Sequence, residues 1–144
     1  MAERFKIASA VYLVLRQDDQ ILLVKRANSG YMDGHYSLPA GHIDGGESAL
    51  DAAIREADEE IGIQVQKEDL RHLLTMHRNS TDRVYIDLFF EVCSYKGIIK
   101  NNEPHKCQEI KFFSLESLPK QTVPYVQEAL FCCENGISYL ESGW

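Results

Sequence analysis

The sequence predicts an α/β protein, a mixed β-sheet flanked by helices and layered as an α/β/α sandwich, in a single domain over residues 1–144. Runs rich in β-branched, aromatic and aliphatic residues recur along the chain, an amphipathic helix interrupts them near the middle, and a second helix follows the last of them. Residues 5–16 and 20–26 are the first two strands, joined through the polar Gln17-Asp18-Asp19 as a hairpin. Residues 27–35, ANSGYMDGH, have loop chemistry, and Tyr36 to Leu38 forms a short strand ended by Pro39. Ser48, with Asp51 three residues on, has the makings of a capping box, so the first helix starts there. Residues 69–78 and 83–94 are strands around the polar turn Asn79-Ser80-Thr81-Asp82, and 100–105, KNNEPH, is a loop. Residues 108–114 make the last strand, and a helix from Val123 to Asn135, stopped by Gly136, closes the chain.

Composition bounds the function. With 144 residues, 44% of them hydrophobic, the chain can bury about two thirds of its surface around one core. No apolar run is long enough to span a bilayer, and the N-terminal stretch is broken by charge rather than built as a signal peptide, which points to a cytoplasmic protein. A net charge of −7 argues against a nonspecific binder of nucleic-acid polymers. Cys93, Cys107, Cys132 and Cys133 have neither metal-ligand nor redox spacing, and reduced thiols fit the same compartment.

Chemistry concentrates in residues 41–63, GHIDGGESALDAAIREADEEIGI. At about 100° per residue, Leu50, Ala53, Ile54, Ala57 and Ile61 share one helix face, the stripe to be buried. Glu56, Glu59 and Glu60 fall together beside it, with Arg55 one turn before Glu59, while Asp51 and Asp58 occupy the solvated flank. Like charges about 4 Å apart repel by roughly 4 kcal/mol at an effective dielectric of about 20, so three carboxylates on a half-buried face invite a cation. Oxygen ligands alone suit Mg²⁺ or Mn²⁺ rather than zinc, and magnesium is commonly completed by substrate phosphates.

Gly41, Glu47, Arg55-Glu56, Glu59-Glu60 and Gly62-Ile63 fill every fixed position of G-x5-E-x7-R-E-U-x-E-E-x-G-U, with Ala57 in the aliphatic slot U. This resembles the box of the Nudix hydrolases, and the chain is similar to their MutT-type members. The resemblance implies an α/β/α fold over essentially the whole chain and hydrolysis of a phosphoanhydride. It implies Glu56 and Glu60 as direct metal ligands, Glu59 as a further ligand or the base, and the Ala40 carbonyl as the backbone ligand. Glu47 would fold back on Arg55 and orient it, with Gly41 and Gly62 shaping the box. Arg26, at the end of the second strand, resembles an arginine that reaches the phosphates, and Tyr31 and Tyr36 are placed to stack on a base. Glu103 or Glu109 would supply the additional carboxylate common in the family.

The expected activity is therefore a Mg²⁺- or Mn²⁺-dependent pyrophosphohydrolase acting on a nucleoside diphosphate linked to another group, foremost a nucleoside triphosphate cut to monophosphate and pyrophosphate. The alternatives are an ADP-ribose or other nucleotide-sugar pyrophosphatase, or a Nudix-fold module that binds a nucleotide without turnover. Ala40-Gly41 stands where MutT-type proteins carry Gly-Gly, which counts against the oxidised-guanine sanitiser itself. The partner implied is a small nucleotide. The choice between monomer and homodimer is left open.

Overall fold

In the computed structural model, which describes residues 2–144, the layering follows from β1 (Ala8–Val14). A strand that is apolar on both faces must be covered on both. Ala10, Tyr12 and Val14 enter one core with Val126, Ala129 and Leu130 of helix α2 (Pro124–Glu134). Val11 and Leu13, pointing the other way, enter a second core with Ala52, Ala53, Ala57 and Ile61 of helix α1 (Ala49–Ile61). The expected mixed sheet between two helices is thus present.

The strands divide between two sheets. In the larger, β1 pairs antiparallel with β5 (Ala40–His42) and parallel with β7 (Val84–Val92). Strand β6 (Leu70–Asn79) pairs antiparallel with β7, and β9 (Tyr139–Ser142) lies parallel to β6, giving the order β5-β1-β7-β6-β9. The smaller sheet is centred on β3 (Gln20–Arg26), which pairs with β2 (Arg16–Gln17), β4 (Tyr36–Ser37) and β8 (Cys107–Ser114). Three details differ from the sequence reading: β1 starts at Ala8 rather than residue 5, residues 40–42 form a strand of their own, and β8 is followed by a further strand, β9, after α2. Strand β9 is short and pairs with a partner more than sixty positions away, so no local pattern marks it.

Helix α1 is fixed at both ends by local chemistry. Ser48 Oγ accepts from Asp51 N, and Asp51 Oδ2 accepts from Ser48 N, the reciprocal pair that satisfies two orphan donors. Gly62 ends it in the left-handed conformation, φ 70°, with its N–H directed to the Ala57 and Asp58 carbonyls. The buried stripe is rotated from the expected one: Ala52, Ala53, Glu56, Ala57 and Ile61 are buried, while Leu50 and Ile54 are only partly so. Alanines let the helix approach β1 and β5 closely, and this approach carries Glu56 into the interior.

Candidate active site

The box residues meet where α1 passes the β5 edge. Pro39 O accepts from Leu13 N, and Ile43 N donates to Ser9 O, so the odd-numbered residues of this edge turn their backbone groups toward β1. Ala40 turns its own away, and its N–H donates to Glu60 Oε2 at 3.1 Å. Its carbonyl lies on that same side of the strand. Gly41 is a glycine for a steric reason, since a Cβ there would lie 2.1 Å from Cδ and Oε1 of Glu56.

Arg55 organises the acidic side chains. It grips Glu47 with Nε at 3.1 Å and Nη2 at 2.7 Å, and Nη2 also donates to the His42 carbonyl. Its Nη1 donates to Glu56 Oε1 at 2.7 Å and to Glu59 Oε2 at 3.3 Å. Arginine's planar fork makes this multiple engagement possible where a lysine ammonium could not. The hydrogen bonds from Arg55 hold the Glu47 carboxyl below its ordinary range. Burial pushes Glu56 up, opposed by Arg55 and helped by Glu59 and Glu103. Burial and then the Glu56 charge raise Glu60 to about 8, against the pull of the Ala40 N–H.

Ala40, Gly41, Glu56, Glu59 and Glu60 line one cavity of about 730 Å³, within the range of small-molecule sites. Glu56, Glu59, Glu60 and Glu103 form its acidic end. Of the two candidates for an added carboxylate, Glu103 is in this cavity, whereas Glu109 accepts from the Tyr36 hydroxyl at 3.1 Å and is not among the lining residues. The two tyrosines separate in the same way. Tyr31 lines the cavity, its ring 5.4 Å from Arg26 Cζ, while Tyr36 packs edge-on against Phe113, away from the cavity lining. Arg26 also lines the cavity, with Nε on the Tyr31 carbonyl at 2.8 Å and Nη2 on Ser29 Oγ at 3.2 Å, which leaves Nη1 uncommitted.

Among the described residues no three His, Cys, Asp or Glu side chains already close around one point as a metal cage. Glu56 is turned toward Arg55 and Glu60 toward Ala40 N–H. The donor set nevertheless fits a hard cation: it is all oxygen and partly buried, and burial holds Glu60 and Glu56 above their usual range.

The wall opposite is aromatic, and the sequence reading passed over it. Tyr12, Tyr85 and Tyr125 line it with Arg78, whose partner Asp87 is buried behind it. Arg78 and Asp87 belong to adjacent strands of one hairpin, and closing that hairpin on its turn sets opposite charges on one face, a signal available in the sequence.

A family model of the NUDIX domain matches residues 5–131. An ADP-ribose pyrophosphatase of Methanocaldococcus jannaschii is 31% identical over 113 residues, 78% of this chain and 65% of that protein. The 8-oxo-dGTP diphosphatase of Escherichia coli is 33% identical over 61 residues, 42% of this chain and 47% of that protein. The match spans less than two thirds of the length of each of these relatives. In fold, the chain is similar to the crystal structure of a MutT NUDIX hydrolase from Burkholderia pseudomallei, with TM-score 0.80, 23% identity, and coverage of 88% of this chain and 97% of that one.

Proposed function

The chain belongs to the Nudix family, and from that premise we propose that it is a Mg²⁺- or Mn²⁺-dependent pyrophosphohydrolase that cuts a nucleoside triphosphate to monophosphate and pyrophosphate. The family, and the pyrophosphatase and diphosphatase names of its relatives, indicate a hydrolase acting on acid anhydrides. The observation that carries the finer reading is the cluster of Glu56, Glu60 and Glu103 at one end of a cavity whose other end is aromatic. A nucleotide has the same polarity, phosphates at one end and a planar base at the other.

Glu56, Glu60 and Glu103 are the side chains to hold the cation, with the Ala40 carbonyl on the adjoining strand edge. When bound, such a cation supplies neutralisation of the phosphate chain and a more acidic water. Glu59 is half exposed and steadied by Arg55, which leaves it free to take the proton of the attacking water. Arg55 ties Glu47, Glu56 and Glu59 into one array, so it acts by positioning. Arg26 directs its remaining guanidinium donors to the phosphates, a charge-assisted contact. Tyr31 flanks that grip.

A second reading, hydrolysis of ADP-ribose, is favoured by the M. jannaschii relative. Incubation with Mg²⁺ and a panel of nucleoside triphosphates, ADP-ribose and other nucleotide sugars, followed by product identification, separates the two. Monophosphate with pyrophosphate is expected from a triphosphate. Release of nucleoside diphosphate, or cleavage confined to ADP-ribose-like compounds, would overturn the triphosphate reading.

A further inference from the structure

Glu103 reaches the acidic end of the cavity from a loop rather than from α1, so something other than the box has to hold it there. Residues 93–106 connect β7 to β8, and this connection is fastened to the helix that carries the box glutamates. Lys100 N donates to Ile61 O and Asn102 N to Glu60 O, each at 3.0 Å, and Asn102 Nδ2 donates to Asp58 O at the same distance. Carbonyls in the last turn of a helix lack intrahelical partners, so the loop satisfies them as it docks. On its other side the loop is tied to the end of β3. Ala27 N donates to Lys106 O at 2.9 Å, and Asn28 Nδ2 to His105 O at 2.7 Å.

Asn101 closes the turn between these anchors. Its Oδ1 accepts from Glu103 N at 3.1 Å, and its Nδ2 donates at 2.7 Å to the carbonyl of Cys107, the first residue of β8. Glu103 O in turn accepts from Lys106 N and Cys107 N, both at 2.9 Å. The backbone of Glu103 is thus fixed at both ends while its carboxyl group lines the cavity, where its charge adds to the upward push on Glu56 and Glu60. An amide suits this lock because one acceptor and one donor are needed; an aspartate would set a second acceptor against Cys107 O. The ties to α1 and β3 do not involve the Asn101 side chain, so its loss frees the aim of Glu103 rather than the loop as a whole.

We propose that Asn101 is a positioning residue for the cation site: by locking residues 103–107 into one turn, it aims the Glu103 carboxylate at the acidic end that Glu56 and Glu60 form. This rests on the reading of Glu103 as one of the side chains that hold the cation. Mn²⁺ binding, followed by paramagnetic titration through a double-mutant cycle, is the test, with the metal alone as probe. Asn101→Ala is expected to weaken Mn²⁺ binding roughly 10-fold in the wild-type background, as loss of a group that orients a ligand does, and by less than about twofold in Glu103→Gln. A general loosening of the fold would weaken it equally in both. Should Asn101→Ala not fold, Asn101→Ser, which offers an oxygen to Glu103 N but no amide to Cys107 O, takes its place in the cycle. Unchanged Mn²⁺ affinity in the folded variant, or the same loss in both backgrounds, would overturn the proposal while leaving Glu103 as a ligand. If Glu103→Gln alone binds Mn²⁺ as tightly as wild type, the ligand reading of Glu103 fails and this proposal fails with it.

Discussion

Burial holds the Glu60 carboxyl at about 8, against 4.5 for an ordinary glutamate, and the adjacent Glu56 charge adds to the effect. Between those two values the folded protein binds more protons at this site than the unfolded chain does. Its contribution to the stability of the metal-free protein therefore falls as pH rises from about 4.5 to about 8. Thermal melts across that window should show a decline in wild type that is smaller in Glu60→Gln, because the amide keeps the shape and the bond from Ala40 N–H but does not ionise. Identical pH profiles for the two proteins would show that Glu60 is not held above its usual range. Gly41 gives a steric test at the same scale. A methyl group there would displace the Glu56 carboxylate, and displacement of a reacting group by about 1 Å is expected to lower turnover on the order of 100-fold. Normal kcat in Gly41→Ala would mean that the position of Glu56 does not govern the chemistry.

At the scale of the element, α1 carries the acidic array and its two caps set where that array points. Removing the Ser48 hydroxyl is expected to cost about 1 kcal/mol by denaturant unfolding, and Gly62→Ala a similar amount or more, because Gly62 sits at φ 70°. Stability unchanged in both would mean that the helix ends are fixed by packing rather than by caps. This helix was legible in the sequence because its signals are local: a capping pair three residues apart, a periodic apolar stripe and a terminal glycine. Even so, the stripe came out rotated toward Ala52 and Glu56, since periodicity cannot say which flank packs more closely. Strand pairing is a long-range matter, and there the sequence said less. The split into two sheets depends on β3 choosing β8 and β4 as partners, and β9 depends on β6 being open on one edge. The hairpin of β6 and β7 was read correctly, but its Arg78–Asp87 pair was missed because each residue looks solvated until the register brings them together.

At the scale of the molecule, the cavity lies between helix α1, the end of β3, the β5 edge, the hairpin ends of β6 and β7 and Tyr125 of α2, so its acidic and aromatic ends come from distant parts of the chain. Spacing in the box indicated Glu56, Glu59 and Glu60 as a group, but which of Glu103 and Glu109, and which of Tyr31 and Tyr36, lines the cavity is set by the tertiary fold. Among the described residues no helix is long and apolar enough to cross a membrane. The central claim is that the buried carboxylates form a cation site, and Mn²⁺ binding tests it most directly. Paramagnetic titration at pH 8 compares wild type with Glu60→Gln. Saturable binding is predicted in wild type, weakened at least about tenfold in the variant, since loss of one charged ligand outweighs the small change of shape. Equal Mn²⁺ affinity in the two proteins, or no binding in wild type, would contradict the account.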